Sequence, residues 1–247
     1  MRILYAGDSP IGGAANYLLA ILKAMRATAV HVPPTMRLTG RHVAHPCDAF
    51  IFSDFSSEHA PAKWQRLIAR HVEQGSGLLM IGGWASFSGP LGQWRGTQIA
   101  SLLPVRCVEG DDRVPLPSGA WIVREAAHPM FQELSFHTPP MICGLNRVML
   151  RPRARLLWSA RPVGSADGHR ASSPRPRAWP LLVIDGDPQR RIAALMTDIA
   201  PHWCGGLLDW GTRRVRLRVT STITVEVGDH YVRFLSSLMH WLVNSRF

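Results

Sequence analysis

The sequence predicts an α/β domain, a mostly parallel sheet with helices on both faces. Short, nearly continuous apolar runs such as RILYAG, DAFIFSD and LLMI suit strands buried on both sides. Between them lie segments whose apolar residues recur at helical spacing. The chain of 247 residues, 46% hydrophobic and 18% charged, is long enough to bury one large core.

Arg2 to Gly7 reads as the first strand, closed by Gly-Asp-Ser-Pro. Ala14 to Ala27 carries Leu18, Ile21, Leu22 and Met25 on one helical face, and Val30 to Val32 suggests a second strand. Asp48 to Asp54 is a third. Pro61 suits a first helical position, with Trp64, Leu67, Ile68 and Val72 marking a helix that stops at Gly75. Leu78 to Ile81 is the next strand. It runs into MIGGWASFSG, the outline of a sharp turn after a central strand.

Leu91 to Gly144 is irregular, rich in Pro, Gly and lone charges, and reads as loop. Arg147 to Ala160 reads as strand, and Arg161 to Pro180 as an exposed excursion. Leu181–Asp185 and Arg191–Asp198 flank Gly-Asp-Pro as a hairpin. Arg213 to Val227 alternates like an exposed strand pair, and Tyr231 to Val243 is a helix with Leu235, Leu238, Met239 and Leu242 inward. No internal repeat and no second domain are evident, so 1–247 is taken as one domain with loop-rich insertions at about 85–145 and 161–180.

The formal net charge is +11, carried by scattered arginines with only Lys23 and Lys63 as lysines. They form no basic patch interleaved with aromatics, so nucleic acid is not an expected partner. No apolar run approaches the length of a membrane span. The opening residues lack a secretory h-region, so a cytoplasmic protein with no membrane partner is expected. Cys47, Cys107, Cys143 and Cys204 stand far apart and read as reduced thiols. His42, His45, Cys47 and Asp48 are metal-ligand types, yet their spacing fits no closed zinc site. No phosphate-binding glycine loop is present. Neither a metal nor a cofactor is expected.

In a parallel sheet, ligands bind beyond the strand carboxyl ends. That places Asp8 and Ser9, the Ser53–Asp54 loop, and Gly82, Gly83, Trp84 and Ser86 along one edge. MTDIAPHWCGG adds Asp198, His202, Trp203 and Cys204 on one loop: an acid, an imidazole and a thiol suited to acid–base or nucleophilic chemistry. Packing of His202 and Trp203, with Asp198 capping amides, is the competing structural reading. Arg95 in WRGT could grip a carboxylate or serve as a salt bridge. Asp112 in EGDDRV and Asn146 in GLN are polar groups in apolar settings.

Together GGWASFSG, WRGT, LLPV, DDRV, HP, GLN and DIAPHW resemble, in order and spacing, the family named "putative glutamine amidotransferase". These are bacterial cytoplasmic proteins near the ThuA-like group. The resemblance covers about Arg2 to Gly211 and the last helix. It implies a flavodoxin-like, doubly wound fold of the class I glutamine amidotransferase type. The excursion at 161–178 and the strands at 213–227 depart from it.

A working member of that fold class carries cysteine on the turn after a central strand, with a His and a Glu later in the chain. Here Trp84 falls where the cysteine belongs. His202 lies in the region of the triad histidine, but Cys204, not an acid, stands two residues on. Glutamine hydrolysis is therefore not expected, unless Cys204 beside His202 supplies a displaced thiolate. Three readings follow. The protein binds a small polar metabolite, a sugar or a carboxylate, between Trp84, Trp203 and the polar groups above. Alternatively it is an enzyme of another reaction type, hydrolase or isomerase-like, with His202 as base and Asp198 as its partner. Or it is a structural protein, with a homo-oligomer possible and its aromatics as interface anchors.

Overall fold

The apolar runs form β1 (Arg2–Gly7), β2 (Thr28–Val32), β3 (Ala49–Ser53) and β4 (Gly77–Ile81). They are seen in a computed structural model that describes residues 1–10, 13–164 and 178–243. Every residue of β3 and β4 is buried, which explains why these strands read as unbroken apolar runs with no alternation. Helices α1 (Ala14–Ala24), α2 (Gly40–Val43) and α3 (Ala62–Glu73) connect them. Pro61 stands just before α3, as its cap.

The chain continues through α4 (Gln98–Leu102), β5 (Val105–Cys107), β6 (Arg113–Arg124), β7 (Met141–Asn146), β8 (Val148–Leu150) and β9 (Ala154–Pro162). Then come β10 (Trp179–Asp185), β11 (Ile192–Leu195), α5 (Pro201–Cys204), β12 (Arg214–Arg218), β13 (Thr224–Gly228) and α6 (Asp229–Val243). One nine-stranded sheet has the order β2-β1-β3-β4-β11-β10-β9-β6-β7. Its first five strands are parallel and the rest extend it antiparallel.

From β1 the chain crosses to β2 on one side, then returns to β3 on the other side of β1. Right-handed crossovers in opposite directions put α1 and α3 on opposite faces of the sheet. Accordingly α1 packs with α6, while α3 packs with α2 and α4. Leu235, Leu238, Met239 and Leu242 of α6 are fully buried, as their spacing requires. The strand order reverses between β1 and β3, the point at which ligands bind in doubly wound sheets.

Three stretches differ from the sequence expectation. The supposedly irregular 91–144 segment contains β6 and β7, two strands of the main sheet. Pro115, Pro117 and Gly119 interrupt the alternation of β6, and its pairing with β7 skips register between Pro115 and Ala120. Arg147–Ala160 is two strands: β8 pairs with β5 in a small separate ribbon, and β9 joins the main sheet. The 161–180 excursion is bounded by β9 and β10, and its residues 165–177 lie outside the described residues. The hairpin at β10–β11 and the exposed pair β12–β13 occur as expected.

Gly7 ends β1 at φ 121°, and a Cβ there would stand 1.5 Å from the Ser53 carbonyl oxygen. The next amide, Asp8 N–H, donates to that same carbonyl at 2.9 Å. Gly7→Ala is thus expected to destabilise the fold by at least about 3 kcal/mol, or to prevent folding, as read by urea denaturation. A change under about 1 kcal/mol would show that the β1 and β3 ends are not held this closely.

Candidate functional site

The loops at the sheet's carboxyl edge bring three carboxyl groups together. Asp8 follows β1, Asp54 follows β3 and Asp198 lies just past β11. Asp8 and Asp54 both adopt left-handed backbone, φ 39° and 48°, at the point where the strand order reverses. Non-glycine residues rarely do so, Asp more readily than most; Arg26, Phe87 and Gln93 share this region.

All three acids are pushed above the usual carboxylate range. Burial is the main cause for Asp8, raised to about 7; the Tyr5 and Ser53 hydroxyls favour its anion and Asp54 opposes it. Tyr5 donates its hydroxyl proton to Asp8. Burial likewise raises Asp198, and the charges of Asp8 and Asp54 raise it further. Burial raises Asp54, while the Ala85 and Trp84 amides and the nearby His202 favour its charged form. Among the described residues, no group of His, Cys, Asp and Glu side chains is placed to hold a metal ion.

The turn after β4 is built differently from a nucleophile elbow. Asp54 Oδ1 accepts the Ala85 amide at 2.6 Å, and Ser86 Oγ accepts the Asp54 amide at 3.1 Å while donating to the Ile81 carbonyl at 2.6 Å. Asn146 Oδ1 takes the Gly83 amide at 3.0 Å. A Cβ on Gly83 (φ 146°) would come within 2.3 Å of the Asp54 carboxylate. The amides that an oxyanion hole would offer are therefore already bonded to Asp54 and Asn146. Trp84 is not among the left-handed residues, and no helix follows it. Its ring is 49% exposed at the rim, with the Arg113 guanidinium over it at 4.5 Å. Asp111 clamps that guanidinium through two nitrogens at 2.6 and 2.8 Å.

Asn146 and Asp112 are fully buried and support this turn. Asn146 Nδ2 donates to Asp112 Oδ1 at 2.8 Å, and Asp112 Oδ2 accepts the Ser88 amide at 2.6 Å. Their place is behind the loop, where they fix its backbone, so they are not ligand contacts. Ser86, equally buried, is spent in the same way.

On the MTDIAPHWCGG loop the expected residues separate. Asp198 Oδ1 accepts the Ile199 and Ala200 amides at 2.6 and 2.9 Å, so the capping role holds while its carboxyl also borders the acid cluster. His202 is exposed, and the acid that feels its charge is Asp54. Trp203 is buried; its indole lies so close to Gly144 that a Cβ there would meet it at 2.6 Å. It is a packing residue and offers no stacking face to a ligand. Cys204 is fully buried, and burial pushes its thiol well above the ordinary range. A thiol so placed is neither ionised nor accessible, which removes it as a displaced nucleophile. Arg95 points to solvent, paired at 3.6 Å with the exposed Glu109, away from the cluster.

The match to the family described as "Putative glutamine amidotransferase" covers residues 50–224, from β3 to β13. The chain belongs to this family. Among solved structures it is similar to a cytoplasmic protein from Salmonella typhimurium LT2, with 23% identity, TM-score 0.71, and 97% of this chain and 98% of that one covered. A second cytoplasmic protein from Salmonella typhimurium matches at 20% identity and TM-score 0.70, covering 97% and 98%. A ThuA-like protein from Bacteroides uniformis matches at 11% identity and TM-score 0.54, covering 98% and 91%. At these identities the likeness establishes the α/β fold alone. No curated protein matches the chain. No described helix is long and apolar enough to cross a membrane.

Two residues escaped the sequence reading. Asp54 appears there only as part of a loop, and Tyr5, inside a buried strand, gives no signal until β1 is seen to aim it at Asp8. Asp8 binds its proton more tightly in the folded chain than at the ordinary 3.8, so folding takes up a proton between that value and about 7. Stability present at acid pH is therefore lost as pH rises across this window. Asp8→Asn, neutral throughout, is expected to be more stable than wild type at about pH 8 by a few kcal/mol over any difference at about pH 5. Urea denaturation at the two pH values reads this; a pH-independent difference would show that Asp8 does not titrate there.

Proposed function

We propose that this family member binds a small metabolite rich in hydroxyl or amine groups at the strand carboxyl ends, and that it does not hydrolyse glutamine. The observation that carries the reading is the closeness of Asp8, Asp54 and Asp198 beyond the strand ends, with Asp8 and Asp198 buried and Asp54 half-buried. Carboxyls this close, with Asp54 raising Asp8 and both raising Asp198, gain from hydrogen-bond donors or a cation and repel an anion. Of the ligands suggested by the sequence, a sugar or amino sugar therefore fits and a carboxylate does not. Trp84 at the rim offers an aromatic surface for the C–H face of a ring. Ser9, half-buried beside Asp8, is a further candidate contact.

Glutamine hydrolysis lacks support on two separate counts. Trp84 has no nucleophilic atom, and the amides around it are engaged by Asp54 and Asn146.

A second reading has its own observation. A carboxyl raised to about 7 is poised to give and take protons near neutrality, so Asp8 could act as a general acid–base group on the same ligand. His202, which faces Asp54, would then assist there, and Asp198 would serve the cluster without pairing with His202.

Isothermal titration with glucose, glucosamine, inositol and glucuronate tests the binding reading. At least one neutral or amine-bearing probe is expected to bind, glucuronate is not, and Asp198→Asn and Trp84→Ala are each expected to weaken binding about tenfold. Preference for glucuronate over glucose would overturn it. Ammonia release from glutamine is expected to stay at the blank level in wild type and in Cys204→Ala; turnover abolished by Cys204→Ala would restore the displaced-thiol mechanism.

A further inference from the structure

A cavity of about 450 Å³ lies at the β7 edge of the sheet, away from the three carboxyls. One wall is Trp121, Pro139, Pro140 and Met141, and the other is the 206–212 segment with Trp210 and His230. Its volume is that of a small-molecule site, and its lining is mostly ring and thioether surface with a few polar groups.

The strand register sets out its mouth. Trp121 of β6 is opposite Met141 of β7 on one side and Arg161 of β9 on the other. Directly opposed residues share a face of the sheet, so Met141, Trp121 and Arg161 form one row. Trp121 is 41% exposed, a large aromatic surface left uncovered. Arg161 is exposed and has no ion-pair or hydrogen-bond partner among the described residues. Asp209, the acid in the lining, is paired with Arg214.

The inner wall holds unused polar capacity. The Trp210 Nε1 and His230 Nδ1 atoms are buried without a hydrogen-bond partner. Buried ring nitrogens are normally paired, and leaving one unpaired costs about 1–3 kcal/mol. The two stand together in one wall, their rings in edge contact at 5.4 Å.

We propose that this cavity is a second binding site, which takes a small planar aromatic carboxylate. The ring lies on Trp121 and Met141, and the carboxylate turns toward Arg161. None of these residues belongs to the acid crevice, so the site stands or falls independently of the function proposed above.

The test uses benzoate, with benzyl alcohol as its uncharged counterpart, and follows the tryptophan indole N–H signals by two-dimensional NMR. Benzoate at millimolar concentration is expected to shift the Trp121 and Trp210 signals, the former assigned by its loss in Trp121→Phe. Trp121→Ala, a half-exposed position that leaves the core intact, is expected to weaken benzoate binding about tenfold, read on the Trp210 signal. Arg161→Gln is expected to weaken benzoate severalfold and leave benzyl alcohol unchanged. Asp198→Asn is expected to change nothing here. Absence of any indole shift, or equal affinity in Trp121→Ala, would overturn the site. Equal affinity for benzoate in Arg161→Gln would overturn its preference for a carboxylate.

Discussion

The arrangement around the crevice depends on where the Asp54 carboxylate is held. Left-handed backbone at Asp54 turns its side chain across to the next strand, where the Ala85 and Trp84 amides meet it. In a catalytic elbow those amides face a reacting carbonyl. Here the Asp54 carboxyl already accepts those amides, and the loop is tied to β3 through Ser86 as well. A substrate oxyanion would have to displace a buried carboxylate already paired with its donors, at a cost of several kcal/mol. The engagement of these amides is therefore built into the backbone and would not be undone by placing cysteine at position 84.

The same contact explains the neighbouring chemistry. Asp54 is bonded to the turn and lies near Asp8 and Asp198. Each of those acids then has to be accommodated in a region where water cannot screen it. Tyr5 partly compensates Asp8, and the Ile199 and Ala200 amides partly compensate Asp198. The remaining mismatch is expressed as raised proton affinity. A protein with net charge +11 thus carries an acidic crevice, and the overall charge says nothing about what that crevice attracts.

Much of the fold was legible in the sequence because β1, β3 and β4 are buried on both faces and their helices are amphipathic. Those two patterns are local. β6 was not legible, since two prolines and a glycine break its alternation and its pairing skips register. The site was partly legible for a related reason. Strand ends can be read locally, so the sequence places the loops that carry Asp8, Trp84 and Asp198 along one edge of the sheet. The direction in which a side chain leaves a turn depends on φ, and this separated Asp54 from the bystanders. Trp203 and Cys204 were misjudged because a loop sequence looks exposed until the Gly144 backbone is seen to receive the indole.

Asn146 shows why residue type alone could not assign roles along this edge. An amide side chain has both donors and an acceptor, and here all of that capacity is used within the protein: Oδ1 takes the Gly83 amide, and Nδ2 reaches Asp112 and the Gly83 carbonyl. An amide so engaged has little left for a ligand, however close it lies to the crevice. The carboxyls differ. Asp198 has one oxygen committed to backbone amides, while Asp8 is engaged by the Tyr5 and Ser53 hydroxyls, so Asp198 keeps the more acceptor capacity of the two. Spare acceptor capacity, and not the mere presence of polar residues, sets Asp198 apart from the scaffold behind it.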